Sequence, residues 1–167
     1  MIKVGDKLPG GTLRESTGYD ESSHCPTSPQ TVDVEALTRG KKVVIFGLPG
    51  AYTPTCSGKH VPGYLEALQA LKSKGVDEVV CMSVNDAYVM AAWGRDQKAE
   101  GRIRMLGDGA AEYTKKLGLD LDLTSGGMGI RCKRFSMLVE DGVVKKLNVE
   151  APGKFEVSDA ATMLKQV

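Results

Sequence analysis

The stretch FGLPGAYTPTCSGKHVPGY, residues 46–64, carries the residues best suited to chemistry. Thr53 followed by Pro54 reads as a helix start, with Thr53 at the N-cap and Pro54 as the first helical residue, where proline is favoured because its missing N–H is not needed. Cys56 then falls in the first turn. Backbone N–H groups there have no helical partner, and the positive end of the helix dipole favours an anion. A thiol in such a place is held ready as a nucleophile. The Thr53 hydroxyl lies one turn away on the same face, free either to cap the helix or to donate to a second atom near the sulfur.

Several nucleophile motifs fail on spacing. A phosphate-binding P-loop needs a glycine five residues before Gly58, where Thr53 stands. A phosphatase-type loop needs an arginine six residues after the cysteine, where Pro62 stands. A cysteine protease needs a histidine base from elsewhere in the fold. His60 is too close in sequence for that part, and His24 belongs to a polar loop; both read as solvent-exposed residues. A cysteine activated by backbone dipoles, a hydroxyl and a remote cation fits redox chemistry better than acyl transfer.

The elements that must position Cys56 follow from patterning. VVIFGL, 43–48, is a continuous β-branched apolar run and reads as a buried strand. The following helix carries Leu65, Leu68 and Leu71 on one stripe, and Pro62 is expected to kink it or break its first turns. DEVVCMSV, 77–84, is a second strand, followed by a helix with Asn85 as N-cap. IRML, 103–106, is a third strand, and the helix after it closes at Gly118. Residues 135–150 read as a hairpin turning at Asp141-Gly142, and a terminal helix is capped by Ser158. Residues 16–30 and the 120s read as irregular polar or glycine-rich loops, with a strand-like TVDV after the first. Asp108 reads as a turn residue, and Tyr88, Met90 and Trp93 as core or subunit contact.

Strands alternating with helices imply an α/β fold with a mixed sheet. The chain of 167 residues, with a formal charge of +1, fits one domain spanning 1–167. Charges of both signs are dispersed, which argues against a nucleic-acid partner. No apolar run approaches the roughly 20 residues that span a bilayer, so no membrane partner is expected. The N-terminal MIKVGDKLPGG lacks an apolar signal core, and the expected location is cytoplasmic. Four cysteines, Cys25, Cys56, Cys81 and Cys132, are too few for a disulfide scaffold. They form no Cys-x-x-Cys pair and, with two histidines, no metal-ligand spacing. Neither metal nor cofactor is expected.

PGAYTPTCS resembles the P-x-x-x-T-x-x-C signature of the peroxiredoxins, through Pro49, Thr53 and Cys56. KHVPGY, SVNDAYVMAAW, MLGDG and RFSMLVEDGVVKKLNVE resemble the type II, peroxiredoxin-5-like, subfamily, so the similarity covers nearly the whole chain. The resemblance implies a thioredoxin-like fold, a central mixed sheet flanked by helices, with N-terminal and internal additions. It implies a thiol-dependent peroxidase whose Cys56 thiolate attacks hydrogen peroxide or an alkyl hydroperoxide and becomes sulfenic acid. Thr53 would hydrogen-bond the peroxide, Pro49 would shield the site, and an arginine, taken from GMGIRCKRF as Arg131 rather than Arg134, would stabilise the thiolate. Homodimers are also implied.

The route back from sulfenic acid is open at this stage. The C-terminal cysteine of many animal members is missing. Cys81 stands 25 residues after Cys56, the spacing of the second cysteine in plant members, yet a cysteine inside an apolar strand is ordinarily a small hydrophobe. Cys25, in the polar loop, and Cys132, next to Arg131, are each open to a mixed disulfide, with incidental placement the simpler reading. The simplest cycle uses one cysteine and an external thiol, glutathione with glutaredoxin or else thioredoxin. The alternatives are a peroxide sensor that relays oxidation from Cys56 to a partner protein, and a thiol chaperone.

Overall fold

The computed structural model describes residues 1–167. Its strands are β1 (Thr12–Glu15), β2 (Tyr19–Asp20), β3 (Cys25–Pro26), β4 (Gln30–Asp33), β5 (Lys42–Gly47), β6 (Glu78–Ser83), β7 (Arg104–Gly107), β8 (Asp120–Leu123), β9 (Gly129–Cys132), β10 (Phe135–Glu140) and β11 (Val143–Val149). Its α-helices are α1 (Val34–Thr38), α2 (Val61–Ser73), α3 (Ala87–Asp96), α4 (Glu112–Leu117) and α5 (Ala160–Gln166). A π-helical turn, Cys56–His60, leads into α2.

Seven strands make one sheet in the order β11-β10-β5-β6-β7-β1-β4. The β5-β6 and β6-β7 pairs are parallel, and the flanking pairs are antiparallel. This is the mixed, helix-flanked sheet of the thioredoxin-like class. The central strands are buried on both faces, which is why they read as unbroken apolar runs. Val44, Phe46 and Cys81 pack into one core layer with α2, α3 and α5. Val43, Ile45, Val80 and Met82 pack into the other, against α1 and α4.

The hairpin turns where expected, with Asp141 and Gly142 both at positive φ (47° and 77°) as a type I′ turn requires. Gly118 closes α4 in the left-handed region. Two expected caps each move by one residue. Asp86, not Asn85, caps α3 by accepting from the Val89 N–H at 2.9 Å, and Asp159, not Ser158, caps α5 by accepting from the Thr162 N–H. In both cases the displaced residue is committed to the active-site region. Residues expected to be irregular also pair: β2 with β3, and β8 with β9. Strands of two to four residues carry too little periodicity to register in sequence. Asp108 is more than a turn residue, because its buried carboxylate accepts from the N–H groups of Tyr113 and Thr114 and from the Thr114 hydroxyl, anchoring α4.

Candidate active site

The loop that delivers Cys56 leaves the C-terminal end of β5. There Gly47 faces Phe135 across the β5-β10 ladder, and a Cβ on Gly47 would stand 2.1 Å from the Phe135 ring. The loop is then stitched to the end of β6. Ser83 Oγ lies 3.0 Å from the Leu48 carbonyl and 2.9 Å from Asn85 Oδ1 and shares its one hydrogen between them, and the same Oδ1 accepts from the Ala51 N–H at 3.0 Å. Asn85 is thus drawn away from the helix cap by a job in the loop.

Tyr52 adopts a left-handed φ of 60°, and the chain becomes helical at Pro54. The expected cap by Thr53 does not form. Its hydroxyl donates back to the Gly50 carbonyl at 2.7 Å, which leaves the oxygen's lone pairs available to a donor arriving from outside. Cys56 lies in the first turn and is fully buried. The first bond of this turn runs from the Ser57 N–H to the Thr53 carbonyl, and no backbone carbonyl receives the Cys56 N–H. Pro62 does not break the helix. The preceding turn is widened so that the Val61 N–H reaches Cys56 O, and proline is accommodated at the start of α2.

The guanidinium at the sulfur belongs to Arg134, whose Nη2 lies 3.2 Å from Cys56 Sγ. Arg131 is not that residue. Its Nε donates to Met128 O at 2.9 Å, and Nη1 sits 3.4 Å from Pro49 O and 3.5 Å from Val84 O, so it braces the Cys56 loop from behind. It also fills the space above Gly50, where a Cβ would come within 2.9 Å of Nη1. The reason is register. Phe135 is opposite Gly47, so the residue just before Phe135 emerges beside the Cys56 loop, whereas Arg131 is spent inside β9. Arg134, unlike a lysine, keeps its charge at any relevant pH and presents several donors at once.

His60, expected at the surface, is fully buried. It lies one turn after Cys56 on the same face, and that i, i+4 spacing is the signal that could have found it. Its Nδ1 is 3.1 Å from Arg134 Nη1, and its Nε2 is 3.1 Å from Ser158 O. A guanidinium can only donate, so Nδ1 accepts, and Nε2 carries the hydrogen given to Ser158 O. Burial, aided by the Arg134 charge, pulls the His60 pKa down to about 3 and keeps the ring neutral. Tyr64 also donates to Ser158 O, at 3.1 Å, and stacks on Phe46 with centroids 4.1 Å apart.

The other thiols are dispersed. Cys81 is buried in the same core layer as Cys56, and burial, with the neighbouring Cys56 charge, pushes its thiol pKa far up. Cys132 is buried in the other layer, again pushed up by burial, with Sγ 3.2 Å from Lys133 O. Cys25 is exposed on β3.

A cavity of about 180 Å³ opens above the site, lined by Pro49, Thr55, Leu121, Lys133, Arg134 and the 150–154 loop. Arg134 both lines it and touches the sulfur. A larger cavity, of about 400 Å³, lies between the β2-β3 hairpin and β7. It contains neither cysteine nor histidine, and the chemistry belongs to the smaller one. No helix is long and apolar enough to cross a membrane.

The profile of the Redoxin family matches residues 3–164. Peroxiredoxin-2B of Arabidopsis thaliana is 49% identical over 98% of this chain and 97% of its own length. The chain belongs to the peroxiredoxins. This peroxiredoxin is of the type II, peroxiredoxin-5-like, kind, and it is a thiol-dependent peroxidase. Among solved structures it is similar to reduced Prx3 of Vibrio vulnificus in complex with hydrogen peroxide: TM-score 0.89, 48% identity, covering 99% of this chain and 98% of that one. A Burkholderia cenocepacia protein provisionally described as a thioredoxin reductase superposes with a TM-score of 0.93 at 54% identity, covering 100% of this chain and 98% of that one. The likeness shows the shared fold, whereas the present chain has no Cys-x-x-Cys dithiol of a disulfide reductase.

Proposed function

We propose that this peroxiredoxin reduces hydrogen peroxide and small alkyl hydroperoxides at Cys56, with glutathione, assisted by glutaredoxin, as the external reductant. The observation that carries the first half is the Arg134 guanidinium, 3.2 Å from the sulfur and lining an open cavity. A peroxide entering by the cavity meets the Arg134 guanidinium that lines it, and the free lone pairs of Thr53 Oγ1, three residues before the sulfur, offer it an acceptor. The Cys56 thiolate attacks the nearer peroxide oxygen. The S–O bond forms, the O–O bond breaks, and the departing alkoxide or hydroxide takes up a proton and leaves as alcohol or water. Arg134 faces the negative charge as it moves from sulfur to the leaving oxygen, and the Cys56 N–H adds a second donor. Pro49 walls the cavity against water.

The second half rests on charge and on thiol burial. Lys133, Arg134 and Lys154 line the mouth, and none has a carboxylate within 4.0 Å. A small thiol bearing carboxylates suits such a mouth. One glutathione condenses with the Cys56 sulfenic acid, releasing water and leaving a mixed disulfide. A second glutathione thiolate releases Cys56 and forms glutathione disulfide. Cys81 and Cys132 are buried with raised pKa values, poor attributes for a resolving nucleophile. The test is a Cys25→Ser/Cys81→Ala/Cys132→Ser variant. Peroxide turnover with glutathione and glutaredoxin is expected within about twofold of wild type. Turnover lost while Cys56 still oxidises once would establish an internal resolving cysteine, and turnover with thioredoxin alone would replace the proposed reductant.

A homodimer and a cytoplasmic location complete the proposal. The dimer is supported by Tyr52 and Tyr88, which are 56% and 46% exposed on the side of α3 and the Cys56 loop. The location rests on the sequence alone, since relatives include chloroplastic and mitochondrial proteins.

A further inference from the structure

Behind the Arg134–Cys56 contact lies a second layer of bonds that ends on a carboxylate the reaction itself does not use. Glu150 follows β11 directly and is buried. Its carboxylate is saturated by the 156–158 loop. It accepts from the N–H groups of Glu156, Val157 and Ser158 at 2.9, 2.9 and 2.8 Å, and from Ser158 Oγ at 2.7 Å. Its own N–H donates to the Arg134 carbonyl at 2.9 Å. Burial alone would raise its pKa, but these donors outweigh burial and hold it below the usual carboxylate range, so the group stays anionic.

The consequence is transmitted through one atom. With its N–H and Oγ fixed on Glu150, Ser158 presents its carbonyl oxygen inward, where it accepts from His60 Nε2 and from the Tyr64 hydroxyl. That bond selects the neutral His60 tautomer whose Nδ1 lone pair faces Arg134 Nη1. Arg134 is thereby oriented with Nη2 on the sulfur. Phe155, from the same loop, packs edge-on against His60 at 5.1 Å and lies under the guanidinium at 5.8 Å. Without the Ser158 acceptor, the Nε2 hydrogen loses its partner and only the Arg134 donor at Nδ1 still favours this tautomer. The other tautomer would set an N–H against a guanidinium that can only donate.

We infer that Glu150 is a positioning residue for the peroxidase step: by clamping the 156–158 loop it fixes the His60 tautomer, and through His60 the orientation of Arg134 on Cys56. Glu150 lines the same cavity, but its carboxylate is spent on the 156–158 loop and bonds neither to the sulfur nor to the guanidinium. The inference rests on the peroxidase reading of Cys56.

The experiment is the second-order rate of Cys56 oxidation by hydrogen peroxide in single turnover, with 15N NMR of the imidazoles, for wild type, Glu150→Gln, Glu150→Ala, Ser158→Ala, His60→Asn and His60→Leu. Both Glu150 variants are expected to slow oxidation at least about fivefold, the worth of one buried hydrogen bond. The His60 nitrogens are expected to leave the pure Nε2–H pattern in the same variants. His60→Asn keeps an acceptor near the Nδ1 position and is expected to stay faster than His60→Leu. Ser158→Ala removes one bond to the carboxylate but keeps the carbonyl; it is expected to slow the step, and it carries the test if a Glu150 variant does not fold. Glu150 and Ser158 variants within twofold of wild type would overturn the inference. So would a slowed rate with His60 signals unchanged, which would place the Glu150 effect elsewhere. If wild type itself reacts no faster than a free thiol, the peroxidase reading fails, and not merely the role of Glu150.

Discussion

His60 and Arg134 show how the site balances charge at the level of single residues. The cation at the sulfur is permanent, and the ring behind it must stay neutral to accept from it. That neutrality has a cost in acid. An unfolded histidine takes up a proton below about pH 6.5, whereas His60 in the folded protein resists until about 3. Between those values the unfolded state binds more protons, so stability falls as pH falls. Glu150, whose folded pKa is lowered, adds loss of the same sign through the carboxylate range. Denaturant unfolding at a series of pH values should show stability declining from pH 6.5 towards 3, by roughly 2–5 kcal/mol from His60. The decline should be flatter in His60→Asn, whose side chain does not titrate. In the sequence only the i, i+4 spacing from Cys56 pointed to His60. His60 looked polar and local because its partners, Arg134 and Ser158, are 74 and 98 residues away.

At the level of elements, the strand-loop-helix unit around Cys56 was the most readable part, since proline placement and an apolar β-branched run are local signals. What it could not carry was the close approach of β10. Gly47 reads only as part of the strand over 43–48, but it is small because Phe135 occupies the space its side chain would need. Gly47→Ala should therefore destabilise the protein by about 1–3 kcal/mol, the usual cost of overpacking. It should also slow Cys56 oxidation, because Phe135 cannot move without carrying Arg134. Urea unfolding checks the first, and stopped-flow oxidation the second. The shifted caps at Asp86 and Asp159 teach the same lesson. Asn85 and Ser158 are good capping types, yet tertiary partners outside the helix claimed them.

At the level of the whole molecule, the sheet order does the assembling. Placing β10 beside β5, and β6 on the other side, brings three distant segments to one edge: the Cys56 loop, the β6 end with Asn85, and Arg134. The α/β alternation and the peroxiredoxin signature were enough to anticipate the fold class and the nucleophile. They were not enough to choose between two arginines three residues apart. That choice depends on which one precedes the strand that pairs with Gly47, a long-range pairing with no local mark. Activation of Cys56 depends on that choice, and the rate of Cys56 oxidation by hydrogen peroxide, followed through the single tryptophan, tests it most directly. Trp93 Nε1 donates to Ser57 Oγ at 3.0 Å, one residue from the sulfur, and is well placed as the reporter. Arg134→Met is expected to lower the second-order rate by about 10²–10³, as for loss of a donor to developing charge, and Arg131→Met by less than about tenfold. Equal losses, or a larger loss in Arg131→Met, would contradict the assignment of Arg134 as the guanidinium that activates Cys56.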